Sequence, residues 1–238
     1  MQVPELLGRW YPMPPLWLEG RVWLELAQLV RDPVFAGDGV PPGRGRTVLL
    51  IPGFLAGDRS LDTMRRWLVR NGYRPMRSGI EFNIESSDVL VERIAARLRK
   101  KLTRGKKAII IGQSRGGTLG VGLAQRYPEL VSQVIAMGSP IRSPLDIHPA
   151  TMAGVHIARM LHTLRRGPRD IDATFDREVL QPVRVPVTVL YSKTDGFVYW
   201  KACLRPDVVN IEVGGSHVGM SVNARVYQEI AKALTPPS

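Results

Sequence analysis

The fold is decided by residues 108–117, which run Ala108-Ile109-Ile110-Ile111-Gly112-Gln113-Ser114-Arg115-Gly116-Gly117. The stretch begins with a short run that contains no polar side chain and ends at a glycine. β-Branched runs of this length are typical of strands that are buried on both faces, as in parallel sheets. Ser114 then lies two residues from a glycine on each side. This spacing predicts a sharp turn from strand to helix at which the flanking positions cannot carry a Cβ.

Length and composition predict one domain over residues 1–238, with 44% hydrophobic residues. No apolar run approaches the ~20 residues that a membrane-spanning helix needs. The first 15 residues lack a basic region followed by an apolar core, so we expect no secretory signal and a cytoplasmic location. A single cysteine, Cys203, agrees with a reducing compartment, although a mature secreted form would have the same composition.

The net charge of +12 and the pI near 10.4 are unusual. Such a charge points either to an anionic partner or to an arginine-rich solvated surface. The basic residues are scattered, with local clusters at 99–101, 106–107 and 165–166, and no nucleic-acid motif accompanies them. We therefore expect a solvated surface and no nucleic acid, with weak association with anionic surfaces left open.

Apolar runs alternate with amphipathic segments along the chain, which indicates repeated βαβ units and a parallel sheet. The fold class is therefore α/β, with a mostly parallel sheet of about six strands flanked by helices. The strands are predicted at 47–51, 73–80, 108–113, 131–137, 187–191 and 209–213. Ser60 and Asn223 have the side chains and positions of helix N-caps.

Two segments lie outside this alternation. Residues 1–46 form an N-terminal helical segment, in which a helix over 16–30 is predicted to bury a broad apolar face. That face consists of Leu16, Val22, Leu26 and Leu29, together with Trp17, Trp23 and Val30. Two glutamates and only one basic residue in that helix argue against a membrane-surface role. Residues 141–184 form an insertion too long for a usual crossover. Its apolar positions between 152 and 164 predict either a cap over the site or an ordinary packed helix.

Three residues with the chemistry of acyl transfer each follow a predicted strand: Ser114, Asp195 and His217. Ligands bind beyond the carboxyl ends of the strands in such sheets, so we expect these loops to meet at one edge. The order Ser, Asp, His along the chain matches this architecture. Ser114 is the predicted nucleophile, His217 the base that accepts its proton, and Asp195 the carboxylate that orients the imidazole.

The developing negative charge on the substrate oxygen needs two backbone donors. The N–H of Arg115 directly follows the nucleophile, and the N–H of Phe54, with Leu55 as second choice, follows the first strand. The substrate pocket is predicted to be lined by Leu55, Ile141, Val198 and Val218.

The chain resembles the α/β-hydrolase superfamily and, within it, the small bacterial esterase and lipase group. Residues 51–54, 112–117, 191–198 and 215–220 carry the resemblance, which covers about residue 47 to the C-terminus and leaves the N-terminal segment unexplained. In the loop after the first strand, Pro52 precedes Gly53 where the family commonly has His. A Pro-Gly sequence at this point also resembles lipases. The resemblance implies a minimal sheet that lacks the first two strands, and acyl transfer to water through an acyl-serine intermediate.

The leading hypothesis is a serine hydrolase of small esters or lipids with short-to-medium acyl chains. A thioesterase, an amidase or an acyltransferase would use the same three residues, because they do not select the leaving group. A catalytically silent binding protein of this fold and a lipase acting at anionic interfaces are further alternatives. No zinc-like ligand spacing and no dinucleotide-binding Gly-x-Gly-x-x-Gly is present, so we expect no metal and no cofactor.

Overall fold

The computed structural model describes residues 13–143 and 173–235. Its centre is a six-stranded sheet in the order β2-β1-β3-β4-β5-β6, in which all neighbouring strands are parallel. The strands are β1 (Thr47–Ile51), β2 (Arg74–Arg77), β3 (Ala108–Gln113), β4 (Val131–Met137), β5 (Val187–Tyr191) and β6 (Val209–Glu212). The predicted parallel sheet with flanking helices is therefore confirmed.

Helices cover both faces of this sheet. They are α1 (Val22–Arg31), α2 (Pro33–Ala36), α3 (Asp62–Arg70), α4 (Ser87–Lys101), α5 (Arg115–Arg126), α6 (Ala173–Leu180), α7 (Trp200–Cys203) and α8 (Ala224–Ala233). None of the helices within the described ranges is long and apolar enough to cross a bilayer. The β-branched core strand β3 is buried at all six positions because helices pack on both of its faces.

Alternate residues of the central strands belong to two hydrophobic clusters. Leu49 and Ile110 face the cluster that includes α4 and α5, whereas Leu50 and Ile111 face the cluster that includes α3 and α8. This alternation follows from the two-residue period of a strand. The two hydrophobic clusters pack on opposite faces of the sheet and hold the strands whose carboxyl ends carry the loops of the site.

One of the two predicted helix caps is wrong and the other is confirmed. Ser60 lies within a one-turn 3₁₀ helix, Asp58–Leu61, and α3 begins only at Asp62 without a side-chain cap. Asp58 instead accepts a hydrogen bond from Ser78 N at 3.0 Å, which ties this turn to the end of β2. Asn223 does cap α8, since its side chain accepts a hydrogen bond from Val226 N at 3.2 Å.

The N-terminal segment is helical, but its buried apolar face is narrower than predicted: Leu29 is buried, and Val22 and Leu26 pack against the core. A 3₁₀ helix, Leu16–Arg21, leads into α1. Trp17 and Trp23 are 76% and 75% exposed, and Val30 is also exposed. Glu19 and Glu25 also point inward and are only 8% and 6% exposed. The predicted burial of Trp17, Trp23 and Val30 is therefore wrong, whereas the predicted burial of Leu29 is confirmed.

The described part of the insertion packs on the domain. Phe175 and Val179 of α6 join the buried cluster of α4 and α5. Arg126, at the end of α5, pairs with Asp88 and with Glu178, so it links α4, α5 and α6. The apolar positions predicted between 152 and 164 lie outside the described residues, so the cap stays a prediction.

Trp67 gives a direct test of the packing on the α3 face. Its ring is fully buried 4.8 Å from that of Tyr227, and its Nε1 donates a hydrogen bond to Val34 O at 2.8 Å. We predict that Trp67→Ala lowers the free energy of unfolding by about 3–5 kcal/mol, measured by urea denaturation followed by circular dichroism. The matched control is Trp23→Ala, which removes a ring that is 75% exposed and should change stability by less than about 0.5 kcal/mol. Equal losses in both variants would contradict this account.

Candidate active site

The turn after β3 holds Ser114 in a strained conformation. Its φ of 53° and ψ of −127° lie in a region that L-residues rarely adopt, at a cost of about 1–3 kcal/mol. A Cβ at Gly112 would come within 2.4 Å of the backbone of Gly116. A Cβ at Gly116 would lie 2.2 Å from Ile51 O, at the end of β1. Both positions therefore require glycine, and the turn projects Ser114 at the carboxyl edge of the sheet.

Asp195 and His217 are brought together at the same edge. Asp195 follows β5 and His217 follows β6, and Asp195 Oδ2 lies 2.6 Å from His217 Nδ1. The other carboxylate oxygen, Oδ1, accepts hydrogen bonds from the backbone N–H groups of Phe197 and Val198, each at 2.8 Å. Because both oxygens are engaged, the carboxylate is fixed in orientation and holds the imidazole by its Nδ1.

Ser114 is placed next to this pair through the neighbouring strand. Its N–H donates to Met137 O at 2.7 Å, at the end of β4. Gly138 follows Met137, and a Cβ at Gly138 would lie 3.1 Å from both Asp195 Oδ2 and His217 Nδ1. The Ser114 hydroxyl itself makes no hydrogen bond to any residue of the described ranges. Contacts between nucleophile and base commonly tighten only when substrate is bound.

The electrostatic environment of His217 favours its protonated form. Burial lowers the pKa of the ring, but the charge and hydrogen bond of Asp195, with a further contribution from the charge of Glu19, outweigh it. The pKa of His217 is therefore raised above its usual value of 6.5. Since only the neutral ring can accept a proton, base catalysis by His217 would increase as the pH rises through a value above that one.

The loop after β1 is held by Asn83, which is bound in turn by the side chain of Arg115. Asn83 is fully buried and its Nδ2 donates to Pro52 O at 2.7 Å. The guanidinium of Arg115 donates in turn to Asn83 Oδ1 at 2.8 Å and to Ser87 Oγ at 3.1 Å. The side chain that follows Ser114 therefore fixes the loop that carries Phe54.

The four predicted pocket residues fall into two groups. Leu55 and Val218 are 59% and 44% exposed, and Leu55 has a positive φ of 59°. Ile141 and Val198 are buried in the core cluster beneath the sheet edge. Of these four residues, Leu55 and Val218 are therefore the two that present apolar surface beside the predicted catalytic loops. The pocket as a whole stays a prediction.

Sequence reasoning missed four polar side chains that hold these loops. Gln113 Nε2 donates to His217 O at 2.9 Å and so links the turn at Ser114 to the histidine loop. Asn83 braces the loop after β1, as described above, and Glu19 and Glu25 contact the loops of Asp195 and His217 from the N-terminal segment. Gln113 was visible inside the Gly-x-Ser-x-Gly motif. The other three have no spacing signal, because each acts on a distant part of the chain.

The described part of the chain favours neither a cysteine nucleophile nor a metal site. Its one cysteine, Cys203, is buried, and burial raises the pKa of its thiol well above the usual range, which disfavours a reactive thiolate. No group of three or more His, Cys, Asp or Glu side chains among the described residues is arranged to hold a metal ion.

Comparison with known proteins agrees with the fold described above. A family model described as "alpha/beta hydrolase fold" matches residues 46–161. This match covers just under half of the chain, and together with the parallel sheet it shows the α/β-hydrolase fold. A comparison with curated protein sequences gave no match.

Solved structures of α/β-hydrolases superpose on most of the chain. The mature lipase BlEst2 of Bacillus licheniformis is 18% identical, with a TM-score of 0.62, over 82% of this chain and 94% of that one. The carboxylesterase CesB of Bacillus subtilis is 11% identical, with a TM-score of 0.55, over 92% and 98% of the two chains. The thioesterase domain of the curacin biosynthetic pathway is 12% identical, with a TM-score of 0.55, over 82% and 92%. At these identities the likeness shows the fold.

Gly138 tests how closely this α/β-hydrolase fold packs Asp195 against His217. We predict that Gly138→Ala displaces the pair, because its φ is +55° and the new methyl group would press on both partners. The expected cost in stability is about 1–3 kcal/mol. The His217 Nδ1 proton signal in nuclear magnetic resonance (NMR) spectra should shift upfield or broaden.

Gly214→Ala is the matched control, since Gly214 lies in the histidine loop and a Cβ there meets nothing within 4 Å. This variant should keep the Nδ1 proton signal unchanged. An unchanged signal in Gly138→Ala would contradict the packing described here.

Proposed function

We propose that the protein is a serine hydrolase that cleaves carboxylic esters. The observation that carries this proposal is the 2.6 Å contact between Asp195 Oδ2 and His217 Nδ1, at the sheet edge to which the strained turn delivers Ser114. In the proposed mechanism His217 accepts the proton of Ser114 Oγ through Nε2, and Ser114 attacks the ester carbonyl. Asp195 keeps the correct tautomer and stabilises the imidazolium that forms.

The remaining steps follow from the same residues. Collapse of the tetrahedral intermediate expels the alcohol, to which His217 returns the proton, and leaves an acyl group on Ser114. Water, deprotonated by His217, then attacks the acyl carbonyl. Collapse of this second intermediate releases the acid, and His217 returns the proton to Ser114 Oγ. No group other than these side chains is needed for the proton transfers.

We assign the oxyanion hole to the N–H groups of Phe54 and Arg115. The Leu55 N–H already donates to Asn83 O at 3.4 Å, whereas the Phe54 N–H has no acceptor within the described residues. This difference favours the first choice made from the sequence over the second. The brace from Arg115 to Asn83 would keep the Phe54 donor in place as charge develops on the substrate oxygen.

The surroundings of the site favour an apolar acyl group. Leu55, Phe82, Ile84 and Val218 are all exposed, and they lie on the loop after β1, the Asn83 segment that binds it, and the histidine loop. Exposed apolar side chains grouped around a polar site are typical of a binding surface for an apolar ligand. A carboxylic ester with a short-to-medium acyl chain fits this description. The named neighbours include a lipase, a carboxylesterase and a thioesterase domain, so a thioester or an amide remains the alternative leaving-group chemistry.

The assay for this proposal is hydrolysis of p-nitrophenyl esters across acyl lengths. Turnover should peak at one chain length, and Ser114→Ala should reduce kcat by ~10⁴-fold or more, because it removes the nucleophile. Ser139→Ala is the control, since that buried serine donates to Met137 O and has no assigned role in the reaction. Activity that survives in Ser114→Ala would overturn the mechanism. If the wild-type protein hydrolyses no ester, thioesters and amides are tested next.

A second candidate function is hydrolysis at an anionic lipid–water interface. The two glutamates that argued against a membrane role are buried against the domain, and Trp17, Trp23, Leu24 and Val30 face outward. Exposed tryptophans beside basic side chains are typical of interfacial segments. Arg31 lies at the end of the same helix, and the net charge of +12 complements an anionic surface.

Vesicle binding tests this candidate. Wild-type protein should co-sediment with vesicles that contain phosphatidylglycerol. The bound fraction should be smaller with vesicles of pure phosphatidylcholine, and it should fall at high salt. The double variant Trp17→Ser/Trp23→Ser should bind at least about tenfold more weakly, because two large apolar side chains are lost from the contact. Val69→Ser changes an exposed apolar residue of α3 and serves as control. Equal binding by the double variant, or no binding by the wild type, would contradict the candidate.

A further inference from the structure

The N-terminal segment contacts the site although it lies before the matched family region. The family model begins at residue 46, whereas Glu19 and Glu25 belong to the 3₁₀ helix and to α1. Both side chains are more than nine-tenths buried. Burial of a carboxylate costs free energy unless hydrogen bonds compensate it, so each buried glutamate needs partners. Among residues 13–143 and 173–235, the hydrogen-bond donors to these two carboxylates lie in the loops of Asp195 and His217.

Glu19 joins the acid loop to the histidine loop. Its Oε1 accepts hydrogen bonds from Gly196 N at 2.9 Å and from His217 N at 3.1 Å. Its Oε2 accepts a further hydrogen bond from Val218 N at 2.9 Å. Gly196 directly follows Asp195, so one carboxylate is bound to the backbone next to both members of the acid–histidine pair. Charge-assisted hydrogen bonds of this kind are roughly twice as strong as neutral ones.

Glu25 holds the residue before the histidine. Its Oε1 accepts from Ser216 N at 2.7 Å, and its Oε2 accepts from Ser216 Oγ at 2.9 Å. Ser216 Oγ in turn accepts from Gly219 N at 3.1 Å. A Cβ at Gly219 would lie 1.3 Å from Glu25 Oε2, so the loop backbone is shaped around this carboxylate.

The two loops have few other connections through polar side chains. Ser192 and Thr194 of the acid loop both donate to Gly215 O, at 2.7 and 2.8 Å. These bonds lie at the start of each loop, whereas Glu19 acts at Gly196 and His217, where the catalytic side chains branch off. The relative position of Asp195 and His217 therefore depends on the N-terminal segment.

We propose that Glu19 is a positioning residue of the active site, which holds the acid and histidine loops in the arrangement that lets Asp195 meet His217. Glu25 supports it by fixing Ser216. The N-terminal segment is thus a working part of the catalytic machinery. This assignment rests on the proposed function where it is tested by turnover. The effect of Glu19 on His217 can be measured without turnover.

The charge of Glu19 affects the pKa of His217, which a merely structural role would not do. Its carboxylate is one of the groups that raise the pKa of His217, together with Asp195 and against the effect of burial. Removing that charge should lower the pKa of His217. The neutral, proton-accepting ring would then persist to lower pH, so the acid limb of the pH–rate profile should move to lower pH.

The test compares Glu19→Gln, Glu19→Ala and Glu25→Gln with Glu229→Gln in the full-length protein. Glu229 is a matched control, because it is 4% exposed and pairs with Arg225 and Lys232 on α8, within its own helix. Each variant is checked for folding by circular dichroism, and kcat, KM and the pH profile are measured on the best p-nitrophenyl ester. A second readout is the pKa of His217, followed by NMR titration in a Ser114→Ala background.

We expect Glu19→Ala to lower kcat by about 10²-fold with little change in KM, because misplacement of a catalytic group acts on the chemical step. Glu19→Gln keeps the side-chain volume, so it should fold, lose less activity and move the acid limb and the NMR-derived pKa to lower pH. Glu25→Gln should lower kcat without moving that pKa. Glu229→Gln should match the wild type in kcat, KM and pH profile.

Two results would overturn the assignment. One is a folded Glu19→Ala or Glu19→Gln variant with wild-type kcat and an unchanged pKa of His217. The other is a loss of activity that only follows the loss of folded protein, with kcat per folded molecule and the pH profile unchanged. If the wild type turns over no ester, the proposed function fails, and the NMR titration still decides the role of Glu19.

Discussion

The site depends on the close packing of backbone around Ser114. The residue is held at a φ of 53°, and the chain can turn there only because Gly112 and Gly116 have no side chains between β1, β3 and α5. The buried two-layered core supplies the rigidity that keeps this strain in place. Every other element of the proposed mechanism is arranged relative to that fixed serine.

The acid and the histidine are held by a different principle, which is hydrogen bonding between loops. Asp195 uses one oxygen for His217 and the other for the backbone that follows it. Glu19 then links the same two loops from the N-terminal segment. Ser114, the proposed nucleophile, is therefore positioned by a strained turn, whereas Asp195 and His217 are positioned by buried carboxylates.

Much of the fold could be predicted from the sequence, because strands buried on both faces leave β-branched runs and glycines that a reader can recognise. The loops of Ser114, Asp195 and His217 could be placed at one edge for the same reason. The burial of Leu29 in the N-terminal helix could be predicted, but the positions of Trp23 and Glu25 could not: their polarity is that of a buried and an exposed residue, and they are found the other way round. Asn83 gave no signal either, since its role depends on contacts with Pro52 and Arg115 that are distant in the chain.

The central claim is that Ser114 is an activated nucleophile, which separates a hydrolase from a silent binding protein of the same fold. The most direct measurement is reaction with a fluorophosphonate, followed by intact-mass analysis and peptide mapping, with heat-denatured protein as control. The account predicts a single adduct on Ser114 in the native protein and none after denaturation. A native protein that forms no adduct, or forms it on another residue, would contradict the account.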